Sequence, residues 1–97
     1  MRSVHAKEDL LPAARAIARE IAENASPISV TLIRHMMWRM LGADHPMEAH
    51  KLDSRGVFYT GKSPEAREGV EAFLEKRPAK FPGKVSRDMP EYFPWWE

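Results

Sequence analysis

The sequence predicts an all-α protein of four helices, followed by an extended tail rich in proline and aromatic residues. Apolar residues recur at spacings of three and four in four segments, and no stretch alternates apolar and polar residues for long enough to indicate a strand. Proline and glycine separate the segments. We therefore expect helices over about residues 8–25, 27–41, 45–60 and 64–77, and a tail over residues 78–97.

The first predicted helix carries the clearest apolar stripe. Pro12 is compatible with it because a proline in the first turn removes no intrahelical hydrogen bond. Charged residues such as Arg15 and Arg19 lie off the stripe. The stripe is formed by Leu10, Leu11, Ala14, Ile17, Ala18, Ile21, Ala22 and Ala25.

The second helix is bounded by two recognisable signals. Ser26 is its expected N-cap, with Pro27 at the first helical position. Gly42 is its expected C-cap. Its expected apolar face comprises Ile33, Met36, Met37, Met40 and Leu41, and Val30 and Leu32 widen that face beyond a single stripe.

The third helix is predicted from Asp44 as N-cap, with Pro46 in its first turn, to a stop at Gly61. Gly56 lies in its interior, where glycine is about 1 kcal/mol less favourable than alanine. Close packing against another part of the chain is the natural reason for a glycine at that position.

The fourth helix opens with the same device, Ser63 followed by Pro64, and is expected to stop before Pro78. Prolines at the density found in residues 78–97 exclude regular structure. The aromatic side chains of this tail are too large to be left in water, so the tail is expected to lie along a surface, either its own or a neighbour's.

Composition narrows the class of protein. The 97 residues contain 15 Lys and Arg against 14 Asp and Glu, which leaves no basic field to recruit nucleic acid. No apolar run is long enough for a membrane span, and the N-terminus lacks the apolar core of a signal peptide. The absence of cysteine fits a reducing compartment, so a cytoplasmic location is expected.

No residue pattern predicts a catalytic or metal site. The four histidines, which have no second ligand at a suitable spacing, are expected at the surface: His5, His35, His45 and His50. Acidic pairs fall in first helical turns, where they complement the helix dipole. Catalytic residues and metal ligands are therefore predicted to be absent.

Two clusters allow more than one interpretation. Four methionines, Met36, Met37, Met40 and Met47, suit core or subunit packing, and alternatively a peptide-binding groove. The basic residues Lys76, Arg77, Lys80 and Lys84 suit a solvated helix C-terminus. The alternative for these cations is a phosphate clamp beside Phe73, as a phosphorylated nucleotide would require.

The segment from Ser63 to Pro78, SPEAREGVEAFLEKRP, resembles the C-terminal signature of the crotonase superfamily, the enoyl-CoA hydratases and isomerases. That signature reads approximately S-x-D-A-x-E-G-x-x-A-F-x-E-K-R. The segment from Leu10 to Ala22 is similar to the same family, and the resemblance covers about Val4 to Phe81. Trp38, the methionine-rich second helix and the Pro/Trp tail depart from the commonest pattern, which indicates a subgroup.

The resemblance implies a role in fatty acid metabolism, with a coenzyme A thioester as substrate and no separate cofactor. In the family this region builds the trimer interface and closes the acyl-CoA site, so a homo-oligomer, trimer or hexamer, is expected. Phe73 and Lys76 match positions that contact the CoA nucleotide. The family's oxyanion hole and catalytic glutamates do not fit before Leu10, so these 97 residues are expected to be inactive alone.

Two other hypotheses remain. The chain could instead be a stand-alone helical interaction module whose aromatic tail docks on a partner protein. Alternatively, it could be an active hydratase or isomerase in its own right. Deleting Tyr92–Glu97 would abolish partner binding only in the first case, and turnover of crotonyl-CoA by purified protein would support the second.

Overall fold

A computed structural model describes residues 1–97 and contains four helices and no strand. The helices are α1 over Leu10–Asn24, α2 over Pro27–Arg39, α3 over Pro46–Gly61 and α4 over Pro64–Leu74. The all-α prediction is thus confirmed. None of the four helices has both the length and the apolar character needed to cross a membrane.

The two predicted serine N-caps are confirmed. The Ser26 hydroxyl accepts a hydrogen bond from the backbone N–H of Ser29 at 3.1 Å, and the Ser63 hydroxyl accepts one from Ala66 at 3.4 Å. In both helices proline occupies the next position, where its fixed φ suits the first turn. Sequence-local chemistry therefore determines where α2 and α4 begin.

The N-cap predicted for α3 is wrong by one residue. His45 occupies the cap in place of Asp44, and its Nδ1 accepts a hydrogen bond from the backbone N–H of Met47 at 3.0 Å. Because Pro46 is at the first helical position, the residue directly before it becomes the cap, and an unprotonated imidazole nitrogen is an adequate acceptor.

The predicted glycine caps are also wrong. α2 ends at Arg39 with Met40 as its C-cap, and α3 includes Gly61 and is capped by Lys62. No glycine adopts a positive φ. α4 ends at Leu74, three residues earlier than predicted, because the chain reverses there through a left-handed residue, Lys76.

The helices form an open arrangement with a very small core. α2 packs on α3 and α3 on α4, so α3 is the middle helix. The radius of gyration is 16.1 Å, against about 12.5 Å for a compact domain of this length. The accessible surface is 8024 Å², against about 5,700 Å² for a compact monomer of this mass. Only five residues are buried: Ile28, Leu32, Glu65, Ala72 and Pro90.

The apolar faces of α1 and α2 are largely exposed. α1 has no buried residue, and Leu11 on its stripe is 63% exposed. α2 buries Leu32 of its predicted apolar face together with Ile28, whereas Met37 and Leu41 of that predicted face are 68% and 81% exposed. These two helices therefore present apolar surface that nothing within the chain covers.

The tail, residues 78–97, lies along the surface of its own chain. The Tyr59 hydroxyl donates a hydrogen bond to the carbonyl of Asp88 at 2.9 Å. The Tyr92 hydroxyl oxygen lies 3.7 Å from the position that a Cβ on Gly56 would occupy, which is an ordinary van der Waals distance, so the close packing predicted at that glycine is not found. The Trp96 ring stacks on His35 of α2 with centroids 4.8 Å apart.

A buried carboxylate joins the tail to two helices. Glu65, in the first turn of α4, is 6% exposed. It accepts a hydrogen bond from the Ser26 hydroxyl at the start of α2 and another, at 2.8 Å, from the backbone N–H of Gly83 in the tail. Its charge also lies at the positive end of the α4 dipole. This Glu65 junction connects elements that are distant in sequence.

Gly83→Ala is expected to lower the free energy of unfolding by about 1–3 kcal/mol, because overpacking a filled site forces its neighbours to move. A Cβ at this position would overlap the Glu65 carboxylate and lie 3.0 Å from Cγ1 of Ile28. Urea denaturation followed by circular dichroism measures the change.

Gly56→Ala is the matched control for this prediction. Its Cβ would make only ordinary contact with Tyr92, and alanine favours the helix by up to about 1 kcal/mol. Equal stability of the two variants would contradict the close packing assigned to Gly83.

Candidate functional site

The C-terminal end of α4 presents an aromatic ring and a cation to solvent. Phe73 is 81% exposed on the last turn, and Lys76 is exposed two residues beyond the helix. An exposed phenyl ring offers a stacking surface to a planar group, and an ammonium group attracts phosphate. The two predicted ligand-binding residues therefore lie together at one helix end.

Lys76 is the only residue with a left-handed backbone, and its φ is 53°. The backbone N–H of Arg77 donates to the carbonyl of Ala72 at 3.0 Å, and that of Lys76 donates to the carbonyl of Phe73 at 3.3 Å. These two bonds form a Schellman motif, in which glycine is the usual residue at the left-handed position. A lysine there costs on the order of 1 kcal/mol relative to a right-handed conformation.

Arg77 and Glu68 hold the chain on the far side of this turn. The Arg77 guanidinium donates to both oxygens of Glu68, at 2.7 and 3.1 Å, and to Glu75 at 2.6 Å. The backbone N–H of Lys80 donates to Glu68 as well, at 2.7 Å. The hydrogen bonds from Arg77 and then from Lys80 lower the pKa of Glu68 from its ordinary 4.5 to about 2. The same ion pair raises the pKa of Arg77.

This pairing decides which cations of the basic segment can bind an anion. The guanidinium of Arg77 is already neutralised by Glu68 and Glu75. Lys76, Lys80 and Lys84 make no ion pair. The phosphate clamp considered from the sequence therefore cannot use Arg77, and Lys76 is the free cation closest in the chain to Phe73.

The stability of the chain is expected to fall as the pH is lowered from about 4.5 towards 2. The pKa of Glu68 is depressed in the folded state, so its contribution is complete above the unfolded value and disappears as the folded carboxylate is protonated. Urea midpoints across this range measure the loss.

Glu68→Gln provides the control, because the amide does not titrate. The difference in urea midpoint between the native chain and this variant should be largest near pH 7 and shrink towards pH 2. A difference that does not vary with pH would show that the Glu68 carboxylate contributes nothing through its ion pair.

The remaining sequence candidates lie elsewhere. His45 caps α3 and His35 stacks on Trp96, so these two histidines have structural contacts. Of the methionines, Met37 and Met47 are exposed. No group of three or more His, Asp or Glu residues is arranged to hold a metal ion.

Sequence reasoning missed two features, both of which involve the tail. One is the Glu65 junction, which only chain folding brings to Gly83. The other is the cleft between α3 and residues 90–92. For the cleft a signal exists in the sequence, since Arg55, Phe58, Tyr59 and Lys62 follow the three-and-four spacing of a single helix face.

Fold and site together define a helical unit with large uncovered apolar faces and an exposed aromatic ring beside a cation at the end of its last helix. No protein-family model matches the chain. Three enoyl-CoA hydratases do match part of the chain. Two enoyl-CoA hydratases of Alternaria alternata are each 39% identical over 79 residues, and a third from the same organism is 35% identical over 79 residues. Each match covers 81% of this chain and 26% of the relative.

A solved structure agrees with these matches. The crystal structure of a probable enoyl-CoA hydratase/isomerase from Mycobacterium abscessus superposes with a TM-score of 0.74 and 27% sequence identity, over 79% of this chain and 30% of that one. The chain is homologous to part of the enoyl-CoA hydratases, which is consistent with the predicted resemblance to the C-terminal helical region of the crotonase superfamily. It spans about a quarter of the length of the curated relatives it matches.

Proposed function

We propose that this chain serves as the oligomerisation and acyl-CoA-closing region of an enoyl-CoA hydratase/isomerase-like protein. The observation that carries the proposal is the end of α4, where the Phe73 side chain is exposed and Lys76 is held in a left-handed conformation. Backbone strain of this kind persists where the surroundings impose it, and it concentrates at functional positions.

The chemistry of CoA suits this pair. The adenine ring of the nucleotide can stack on the exposed face of Phe73, and its phosphates can approach the Lys76 ammonium. Arg77 occupies the neighbouring carboxylates of Glu68 and Glu75, so the Lys76 ammonium stays unpaired and available to a phosphate.

The oligomerisation role is supported by the surface that the chain leaves uncovered. Its accessible area exceeds that of a compact monomer by about 2,300 Å², whereas a standard interface covers about 800 Å² on each partner. Apolar helix faces of this extent are stable when another protein surface covers them. A trimer or hexamer of the complete protein would supply that surface.

The 97 residues are expected to be inactive alone. Hydration of an enoyl thioester requires oxyanion donors and a positioned carboxylate. We assign these groups to the part of the related enoyl-CoA hydratases that this chain does not match. Loss of the enoyl absorbance of crotonyl-CoA measures turnover, and activity that survives rigorous purification would contradict this assignment.

Lys76→Gly tests the site at the end of α4. Glycine adopts a positive φ without strain, so the free energy of unfolding is expected to rise by about 0.5–1 kcal/mol. The same change removes the cation, so affinity for CoA is expected to fall about tenfold, as measured by isothermal titration calorimetry.

A rise in stability together with a fall in CoA affinity distinguishes a lysine that binds ligand from one with only a structural role. Lys80→Gly is the matched control, because Lys80 is exposed and lies outside the left-handed position. Unchanged CoA affinity of the Lys76→Gly variant, with its higher stability, would overturn the proposed role of Lys76.

A further inference from the structure

An open cleft lies between the end of α3 and the tail, and neither Phe73 nor Lys76 lines it. It has a volume of about 590 Å³. One wall is formed by Arg55, Phe58 and Tyr59 of α3 with Lys62 directly after the helix, and the other is the tail segment 90–92. This size falls within the range of small-molecule and cofactor sites. We call it the α3–tail cleft.

Two uncompensated cations line this cleft, each beside an aromatic ring. The Lys62 ammonium lies 3.7 Å from the centroid of the Phe58 ring, and the Arg55 guanidinium carbon lies 5.9 Å from that of Tyr92. Neither cation makes an ion pair. Contact with a ring restricts the conformations of each long side chain. Less side-chain entropy is therefore lost when a ligand binds.

The walls are held in place by contacts outside the cavity. The Tyr59 hydroxyl donates to the carbonyl of Asp88, and the Tyr92 hydroxyl is buried against Gly56. Pro90 is buried. Phe58, by contrast, is 66% exposed, so part of its ring surface is accessible to a ligand. The cleft therefore combines fixed walls with an available stacking surface.

We propose that the α3–tail cleft binds a phosphorylated nucleotide. Its base would stack on Phe58, and its phosphate would be bound by Arg55 and Lys62. Such a ligand has both parts that the cleft can recognise, a planar ring and an anion. The rim residue Glu91 opposes the anion and limits affinity. The site is built by the tail and is independent of the role proposed for Phe73 and Lys76.

The test titrates the ¹⁵N-labelled 97-residue chain with AMP and follows backbone amide resonances by NMR. Saturable shifts are expected at residues 55–62 and 90–92. Adenosine lacks the anion and inorganic phosphate lacks the ring, so each is expected to bind about tenfold more weakly than AMP.

Charge variants assign the anion contact. Lys62→Gln and Arg55→Gln are each expected to weaken AMP binding about five- to tenfold, since each removes one charge-assisted contact. Glu91→Gln removes the opposing charge and is expected to tighten binding about twofold. Arg19→Gln is the matched control, because Arg19 is exposed on α1 and lies outside the cleft. Preserved amide spectra show that each variant remains folded.

A second titration, with coenzyme A, identifies the source of the nucleotide. If it shifts the cleft resonances as AMP does, the nucleotide of the thioester substrate is the natural occupant. If CoA shifts only residues 73–76 while AMP shifts the cleft, a free nucleotide is the occupant. Both results support the cleft as a nucleotide site.

Three results would overturn the proposal. One is the absence of saturable AMP shifts at the cleft. Another is equal affinity for AMP and adenosine, and the third is equal weakening by Arg19→Gln and Lys62→Gln. If AMP and CoA both shift only residues 73–76, the cleft proposal fails while the role of Phe73 and Lys76 gains support, so the two failures are distinguishable.

Discussion

Replacing Glu65 by alanine is expected to lower the free energy of unfolding by about 3 kcal/mol, since two hydrogen bonds to a charged acceptor are lost. The Ser26 hydroxyl and the Gly83 backbone N–H would lose their acceptor in a site that is 6% exposed. For a chain of this size the loss is a large share of total stability. Urea denaturation, followed by circular dichroism, measures it.

The variants around this junction separate its parts. Glu65→Gln keeps an acceptor oxygen and should lose less stability than Glu65→Ala. Glu71→Ala is the matched control on the same helix, because Glu71 is exposed, and its effect is expected to stay within about 0.5 kcal/mol. If Glu65→Ala and Glu71→Ala are equally stable, the Glu65 junction does not hold the tail.

The junction also predicts where the structure loosens first. Since Gly83 is one of the points at which the tail is attached, Glu65→Ala should increase hydrogen exchange in residues 78–97 before it does so in α3. Uniform exchange across the chain would mean that tail and helices unfold together.

The second large effect concerns association. The 97-residue chain is expected to sediment as an oligomer, because the apolar stripe of α1 contains no buried residue and Ile21 on that stripe is 48% exposed. Ile21→Glu places a charge within the stripe and is expected to weaken association at least about tenfold, since burying an unpaired charge is strongly unfavourable. Analytical ultracentrifugation measures both.

Arg19→Glu introduces the same side chain off the stripe and serves as the matched control. It should leave the association constant nearly unchanged. A folded monomer at every accessible concentration would contradict the proposed oligomerisation role. Equal effects of Ile21→Glu and Arg19→Glu would show that association does not use the α1 stripe.

Local chemistry accounts for the parts of the fold that were predicted well. Ser26 and Ser63 cap their helices as expected, because a hydroxyl and a following proline act over three residues and need no distant partner. The four helical segments follow from apolar spacing for the same reason. The resemblance to enoyl-CoA hydratases is likewise readable from the sequence, because the residues that carry it are contiguous.

The predictions that failed concern helix ends and buried faces, which distant residues or a competing cap determine. His45 replaces Asp44 because Pro46 sets the position of the first turn. Lys76 adopts the left-handed conformation where Glu68 and Arg77 hold the reversal after α4 across nine residues of sequence, whereas neither predicted glycine cap has a positive φ. The exposed face of α2 could not be distinguished from a buried one, since periodicity identifies an apolar face without identifying what covers it.

The sequence by itself determines four helices, their serine caps, the extended tail and the relationship to enoyl-CoA hydratases, because each depends on neighbouring or contiguous residues. Only the tertiary structure decides that the tail returns to its own helices, that Glu65 is buried beside Gly83, and that Arg55 and Lys62 face Tyr92 across a cleft. These features join residues that are far apart in the chain. Their position depends on packing and hydrogen bonding between whole elements, which no local pattern encodes.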